Sequence, residues 1–228
     1  LKIESKLTKR NPSPPFMTAT LQQEASRKLG LGTKQTMSVA QKLYEAGLIT
    51  YMRTDGIDMD LEAIKESRSE IQKKYGKEYV PEKPRFYKNK ARNAQEAHEC
   101  IRPTNLGKSP KDLKNSDDIQ KKLYELIWKR TISSQMASAD VEETKIDLGP
   151  EKGQFLLRAT GAETVFDGFK KVYLEGVDNE KENEKEISLI DLKKGEGLEI
   201  NEVIPSQHFT QPKARYTEAS LVKKMVEL

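Results

Sequence analysis

Tyr51 and Arg53 stand two residues apart in the stretch Leu48-Ile49-Thr50-Tyr51-Met52-Arg53-Thr54-Asp55, and together they supply the parts of a phosphoryl-transfer site. A phenol, with an ordinary pKa of about 10, stays protonated at neutral pH unless a cation or base lies beside it. Arginine brings a permanent cation and a planar fork of N–H donors that fits phosphate oxygens. In a strand, alternate residues project from one face, so a strand over Leu48–Met52 would carry Tyr51 near its end with Arg53 beside the phenol. Charge building on a phosphate under attack is then met by the guanidinium. The product would be a phosphotyrosyl ester, which keeps the energy of a phosphodiester and allows resealing without a nucleotide cofactor. The sequence carries no ATP-binding motif. Spacing alone also admits a plainer reading, a half-buried strand tyrosine with a surface arginine.

His98 and Arg102 are four residues apart and share a face if Gln95–Ile101 forms a helical turn. Both could then reach a phosphate; the plainer role for His98 is a structural hydrogen bond. His208 has no motif partner and reads as structural. Gln41 and Glu45 lie one helical turn apart just before the tyrosine. Lys34, Lys42, Arg85, Lys88, Lys90 and Arg92 can line a groove for single-stranded nucleic acid, although loop lysines are usually just solvated. Phe86 and Tyr87 among them offer either a stacking surface or a core contact. Asp58, Asp60 and Glu62 imitate a metal-binding acidic run, but they open a helix, where acids cap free amides and complement the dipole. No metal site is assigned within the chain.

The elements that must position these groups are legible in the periodicity. Leu1, Ile3, Ser5 and Leu7 alternate with polar residues as a half-buried strand, which the prolines at 12, 14 and 15 end. From Thr18, the spacing of Leu21, Ala25 and Leu29 predicts a helix closed by Gly30 and Gly32. A second helix follows, capped by Thr33 or Thr36 and stopped by Gly47. Asp60 caps a third, with Leu61, Ile64, Arg68, Ile71 and Tyr75 along one face and Gly76 as its stop. Residues 77 to 115 read as irregular, with four prolines. Ile119, Leu123, Ile127 and Arg130 mark another helix that ends near Met136. Beyond Ala137 the period shortens, predicting antiparallel strands around Val141–Leu148, Phe155–Ala159, Thr164–Tyr173, Ile187–Leu192 and Leu198–Ile204. The charged run Asp178–Glu186 reads as a solvated hairpin tip. Thr217 caps a last helix carrying Leu221, Val222 and Met225.

A chain of 228 residues has room for two modest domains. Its charged fraction of 33% and apolar fraction of 35% exclude a membrane protein of the helical kind, since no apolar run approaches roughly 20 residues. With 40 basic against 36 acidic residues the net charge is only +4, so a polyanion site must come from local clustering. The single cysteine, Cys100, excludes an internal disulfide and a cysteine-based zinc site and fits a reducing cytoplasm; it reads as a structural thiol. The first residue is Leu1 rather than Met and the last helix is cut within an amphipathic run, so the sequence reads as an excised fragment.

The stretch from Tyr44-Glu45-Ala46-Gly47 through Tyr51-Met52-Arg53-Thr54-Asp55 resembles the active-site signature of the type IA DNA topoisomerases of bacteria. Gln95-Glu96-Ala97-His98-Glu99-Cys100-Ile101-Arg102-Pro103-Thr104 and Arg215-Tyr216-Thr217-Glu218-Ala219-Ser220-Leu221-Val222 resemble further family motifs, in the family's order. The resemblance runs from Pro15 to Leu228. It departs at Gly56, where serine is common, and at Cys100, where alanine is usual, which affects only a local turn. It implies an α+β fold in which a helical, winged-helix-like tyrosine domain (residues 11–137) is inserted into an antiparallel β arch domain (1–10 and 138–209), with residues 210–228 beginning the DNA-binding base of a toroidal gate. It implies that Tyr51 is the nucleophile and that Arg53 and His98 act on the scissile phosphate, with Gln41, Glu45 and Arg102 contacting DNA. The implied activity is ATP-independent relaxation of negatively supercoiled DNA by strand passage, through a 5′-phosphotyrosyl intermediate. The implied partners are single-stranded DNA and negatively supercoiled duplex, bound by a cytoplasmic monomer with no membrane association. Magnesium serves the intact enzyme through ligands outside this chain, and the chain alone is expected to be inactive. A reverse gyrase would be a narrower case within the family, needing a fused helicase. The alternative from another class is a non-catalytic winged-helix DNA-binding module, with Thr18 to Gly47 as its two helices.

Overall fold

Helix α1 (Thr18–Leu29) forms where the periodicity places it, and its end is set by Gly30 in the left-handed conformation at φ 66°. The Gly30 N–H reaches the Ser26 carbonyl at 3.1 Å and the Leu31 N–H reaches the Ala25 carbonyl at 3.2 Å, satisfying the carbonyls that a helix end leaves free. Helix α2 (Thr33–Glu45) starts at once. Neither Thr33 nor Thr36 caps it: Gly32 occupies that position, and the Thr36 hydroxyl bonds back to the Gly32 carbonyl at 3.0 Å. The missing cap comes from elsewhere, as the Glu218 carboxylate accepts the Thr33 N–H at 3.0 Å. Gly47, at φ 68°, turns the chain out of α2.

The computed structural model describes residues 2–88, 99–113, 116–149, 156–176, 196, 197, 199, 201–210, 212 and 214–227. Among them are five α-helices and a three-stranded sheet, an α+β fold. After α2 come α3 (Leu61–Tyr75), α4 (Asp118–Ser134) and α5 (Glu218–Glu227); the strands are β1 (Lys2–Arg10), β2 (Ala139–Leu148) and β3 (Leu157–Phe166). The chain divides into two compact units: Leu1–Lys9, Asp140–Phe166 and Glu184–Arg215 form one, and Arg10–Ala139, Asp167–Asn183 and Tyr216–Leu228 form the other.

The sheet of the first unit has the order β1-β2-β3. β2 and β3 are antiparallel, in register from Val141↔Thr164 to Leu148↔Leu157, with an irregularity at Asp140/Val141. Opposed Asp147 and Arg158 form a bidentate pair at 2.7 and 2.9 Å, which holds the Asp147 carboxyl below the usual carboxylate range. The strand expected over Thr164–Tyr173 stops at Phe166. Gly168, at φ 49°, turns the chain into a short 3₁₀ helix (Gly168–Lys171), and a Cβ there would lie 2.4 Å from the Ser138 carbonyl oxygen. Ile187–Leu192 lies outside the described residues. Residues 201–204 form no strand, and Val203 and Ile204 stand exposed.

In the second unit α4 is the central element, packed on α1, α2 and α3. Its Asp117/Gln120 capping box closes at 2.7 and 3.1 Å, and Leu123, Ile127 and Ile132 are fully buried beside Phe16, Leu21, Leu43 and Ile71. The predicted face of α3 is only partly right: Leu61 is exposed, while Ala63, Ile64, Ser67, Glu70 and Ile71 face inward. Asp60 caps α3 as expected, accepting the Glu62 N–H at 2.8 Å. Helix α5 packs on α1, and Thr217 caps it by accepting the Ser220 N–H at 3.1 Å.

A charge lies inside this core. Arg130, 4% exposed, donates to the Pro14 carbonyl at 2.6 Å and pairs with Glu175, with its guanidinium over the rings of Phe16 and Tyr173 at 4.8 and 5.2 Å. Nearby, buried Glu24 accepts from the Tyr173 hydroxyl and the Gly176 N–H and pairs with Arg27 at 3.2 Å. Burial pushes the Tyr173 phenol well above its ordinary value. Arg130 thereby ties the segment entering α1 to the one that follows β3. Arg130→Met should lower the unfolding free energy by about 2 kcal/mol, because it leaves the Pro14 carbonyl and Glu175 unpaired. A urea titration followed by the fluorescence of Trp128, the single tryptophan, checks this; an unchanged midpoint contradicts it.

Candidate active site

The loop that carries Tyr51 begins where Gly47 releases the chain from α2, and it is pinned from two sides. On one side lies the segment 100–104. The Thr50 N–H donates to the Arg102 carbonyl at 2.9 Å, the Arg102 N–H donates to the Thr50 hydroxyl oxygen at 2.9 Å, and that hydroxyl donates to the Cys100 carbonyl at 2.7 Å. The Thr104 N–H closes the set on the Leu48 carbonyl at 3.1 Å. On the other side lies the first residue of α1. The Thr18 hydroxyl donates to the carbonyls of Met52 (2.7 Å) and Thr54 (3.0 Å) and accepts the Thr54 N–H at 2.9 Å, while the Thr18 N–H reaches the Thr54 carbonyl at 2.9 Å. Between these anchors Ile49 and Met52 are 1% exposed and Tyr51 is 47% exposed.

Leu48–Met52 is therefore not the strand that its β-branched residues predict. Ile49 makes one isolated bridge, to Pro103, which has no N–H with which to extend a ladder, and the chain bends at Met52 and Arg53. The alternation nevertheless persists in burial: Tyr51, Arg53 and Asp55 are exposed, and Met52, Thr54 and Gly56 are buried. At Gly56, the local turn is closed from the backbone, whose N–H reaches the Thr54 hydroxyl at 2.9 Å. The Arg53 guanidinium forms no ion pair or hydrogen bond among the described residues. The Tyr51 ring meets Tyr44 of α2 edge-on, with centroids 5.3 Å apart at 66°.

Gln41 and Glu45 sit on the outer face of α2 and bond to each other at 2.8 Å. Arg102 stands in an extended segment, since Ile101 bridges Phe16 and Pro103 bridges Ile49, so the helical turn expected through Ile101 does not reach it. Its guanidinium forks onto Glu99 at 2.5 and 3.1 Å and donates to the Pro103 carbonyl at 2.9 Å, which leaves two of its five N–H donors. Glu99 also accepts the Asp60 N–H at 3.0 Å, linking the start of α3 to the tyrosine loop. Cys100 is fully buried, and burial pushes its thiol up. His98 lies outside the described residues, as do Lys90 and Arg92. Arg85 and Tyr87 are structural: Arg85 donates to the Met136 carbonyl (2.8 Å) and the Ser138 hydroxyl (2.7 Å), and Tyr87 donates to the Ser134 carbonyl (2.8 Å). Burial pushes the Tyr87 phenol up to about 12. His208 lies 2.8 Å from the Ser206 hydroxyl through Nε2.

Two acids of the run, Asp60 and Glu62, are engaged by the fold. Asp60 caps α3, with the Glu62 N–H holding its carboxyl below the usual range, and Glu62 pairs with Lys65 at 2.7 Å. Among the described residues no group of three or more His, Cys, Asp or Glu side chains is arranged to hold a metal ion. No helix among them is long and apolar enough to cross a membrane.

The chain as a whole is similar to known proteins. The family profile described as DNA topoisomerase matches residues 1–228. The chain is 52% identical to DNA topoisomerase 1 of Rickettsia bellii over 238 aligned residues, covering 100% of this chain and 29% of that protein. The chain belongs to the bacterial type IA DNA topoisomerases. Another type IA relative, DNA topoisomerase 1 of Zymomonas mobilis, is 51% identical over 99% of this chain and 19% of its own length. The structure of full-length topoisomerase I from Thermotoga maritima superposes with a TM-score of 0.80 at 37% identity, over 99% of this chain and 36% of that one. The chain thus spans about three tenths of the length of the Rickettsia relative. Magnesium, typical of the family, finds no fitting set of ligands among the described residues of this topoisomerase segment.

Spacing did not reveal Thr18, Thr50 or Glu99, which hold the loop through bonds 34 to 52 residues apart in sequence. The one local hint was that Thr18 opens a helix. Thr18→Val keeps the shape and deletes the hydroxyl, leaving the Met52 carbonyl and the Thr54 N–H short of a partner. We expect a loss of about 1–2 kcal/mol in stability. Denaturant titration measures it, and a wild-type midpoint would show that the clamp does not hold the loop.

Proposed function

We propose that Tyr51 is the nucleophile with which the intact enzyme cleaves and rejoins one DNA strand. The observation that carries this reading is the half-exposed phenol on a backbone pinned at both flanks, with a guanidinium two residues on that has no partner among the described residues. Such a loop would bring a half-exposed phenol to a phosphate with little ordering left to do. The phenol of Tyr51 gives up its proton and its oxygen bonds to phosphorus as the bond from phosphorus to the 3′ oxygen breaks. The 3′ oxygen takes up a proton, and the 5′ phosphate stays on the tyrosine. Reversal restores the strand with no ATP, because the ester stores what the phosphodiester held.

Arg53 is proposed to fork onto the phosphate and His98 to donate to it, with Gln41, Glu45 and the remaining donors of Arg102 contacting the bound single strand. The helical unit, winged-helix-like and inserted into a β arch, would then carry the broken end as part of a toroidal gate while another strand passes, relaxing negatively supercoiled DNA. In this reading the enzyme acts as a cytoplasmic monomer. Magnesium supports the reaction when bound by residues outside this chain, so the chain on its own does not relax DNA.

Tyr51→Phe in the full-length enzyme should abolish the covalent adduct with a labelled oligonucleotide, seen on a denaturing gel, while leaving non-covalent DNA binding in place. An adduct that survives moves the nucleophile elsewhere. Arg53→Lys keeps the charge and loses the fork, so cleavage should slow by about 10- to 100-fold rather than vanish. A wild-type cleavage rate in that variant would remove the fork from the mechanism.

A further inference from the structure

Away from the tyrosine loop, a groove of about 590 Å³ runs between the last turn of α3, the 3₁₀ turn Pro110–Asp112 and the first half of α4. None of its residues belongs to the Tyr51 site. Five lysines line it against two carboxylates, Asp118 and Glu125. Two of the lysines are already matched: Lys74 with Glu70 at 3.3 Å and Lys129 with Glu125 at 2.7 Å. The side chains of Lys111, Lys121 and Lys122 form no ion pair or hydrogen bond among the described residues, which leaves three free ammonium groups facing a single free carboxylate, Asp118.

The frame beneath these lysines is rigid. Trp128 is 5% exposed, its indole N–H donates to the Leu106 carbonyl at 3.0 Å, and Lys74 lies over its ring at 4.5 Å. The Tyr124 hydroxyl donates to the Lys108 carbonyl at 2.8 Å and fixes the loop that leads to Lys111. Surface lysines in general need no explanation. Here three unmatched ones converge on one groove in a protein whose net charge is only +4, so the local field exceeds what composition supplies. Lys74 covers the Trp128 ring, so that indole is not open for a base to stack on. The chemistry exposed is that of point charges for a sequence of phosphates.

We propose that this groove binds the phosphodiester backbone of a DNA segment other than the strand held at Tyr51, through Lys111, Lys121 and Lys122 and without regard to base sequence. The choice of DNA as the polyanion rests on the function proposed above; the existence of the groove does not.

The test uses the full-length enzyme with Lys111, Lys121 and Lys122 all changed to alanine, and a control with Lys65→Ala on the opposite charge-paired surface of α3. Equilibrium binding is read by fluorescence anisotropy across a salt series, with a single-stranded oligonucleotide and a blunt duplex of the same length as separate probes. Three lost phosphate contacts should reduce the slope of log affinity against log salt by about 2 for single strands and slightly more for duplex, and the control should retain the wild-type slope. A reduced slope with one probe only assigns the groove to that form of DNA. Wild-type slopes with both probes overturn the proposal. Failure of the Tyr51 reading would appear separately, as absence of a Tyr51-linked adduct in the wild-type enzyme, and would leave the salt slopes untouched.

Discussion

Two threonine hydroxyls hold the segment that carries Tyr51, the proposed nucleophile. Thr18, at the first turn of α1, takes the carbonyls of Met52 and Thr54, and Thr50 takes the carbonyl of Cys100, so the residue between them has its backbone fixed while its side chain is left to solvent. A loop normally owes its position to the ends of the elements it joins, and it carries more motion than they do. This one is stitched to a helix start on one side and to an extended segment on the other, and both partners rest on the core around Phe16 and Ile101. Removing either hydroxyl would leave buried carbonyls without donors, which costs more than the bond itself contributes.

The charges follow the same division. Those that the fold needs are matched inside it: Arg130 between Pro14 and Glu175, Glu24 between Tyr173 and Gly176, Glu99 between Arg102 and the start of α3. Buried charges persist only with such partners. Arg53, Lys111, Lys121 and Lys122 have none among the described residues, and all four stand where a phosphate can reach them. A protein with nearly balanced composition thus presents positive charge locally, where a polyanion would be gripped, without a strongly basic surface everywhere.

Much of the helical architecture was legible because its signals are local. Gly30 and Gly47 stop helices by adopting positive φ, and Asp60 and Thr217 cap them within three residues, so sequence spacing and structure coincide. The errors came where a distant partner decides. Leu48–Met52 has strand-forming residues, yet its partner across the bridge is Pro103, 54 residues away from Ile49, and a ladder cannot pass a proline. Glu218 caps α2 from the far end of the chain, so no threonine at the helix start is needed. Leu61 fits the apolar period of α3 and still faces solvent, because the helix packs on its Ala63, Ile64, Ser67, Glu70 and Ile71 side. The motif around Tyr51 disclosed a family, whereas the clamp that pins the backbone on either side of it could be seen only once the chain was folded.

The proposed chemistry stands or falls on which atom becomes bonded to the cleaved strand. Cleavage of a short oligonucleotide by the full-length enzyme, trapped with denaturant, digested with protease and nuclease and sequenced by mass spectrometry, reads that atom directly. A nucleotide bonded through its 5′ phosphate to the peptide containing Tyr51, with fragment ions placing it on the phenol oxygen, is the predicted result. The same modification on any other residue, or a 3′-linked nucleotide, would contradict it.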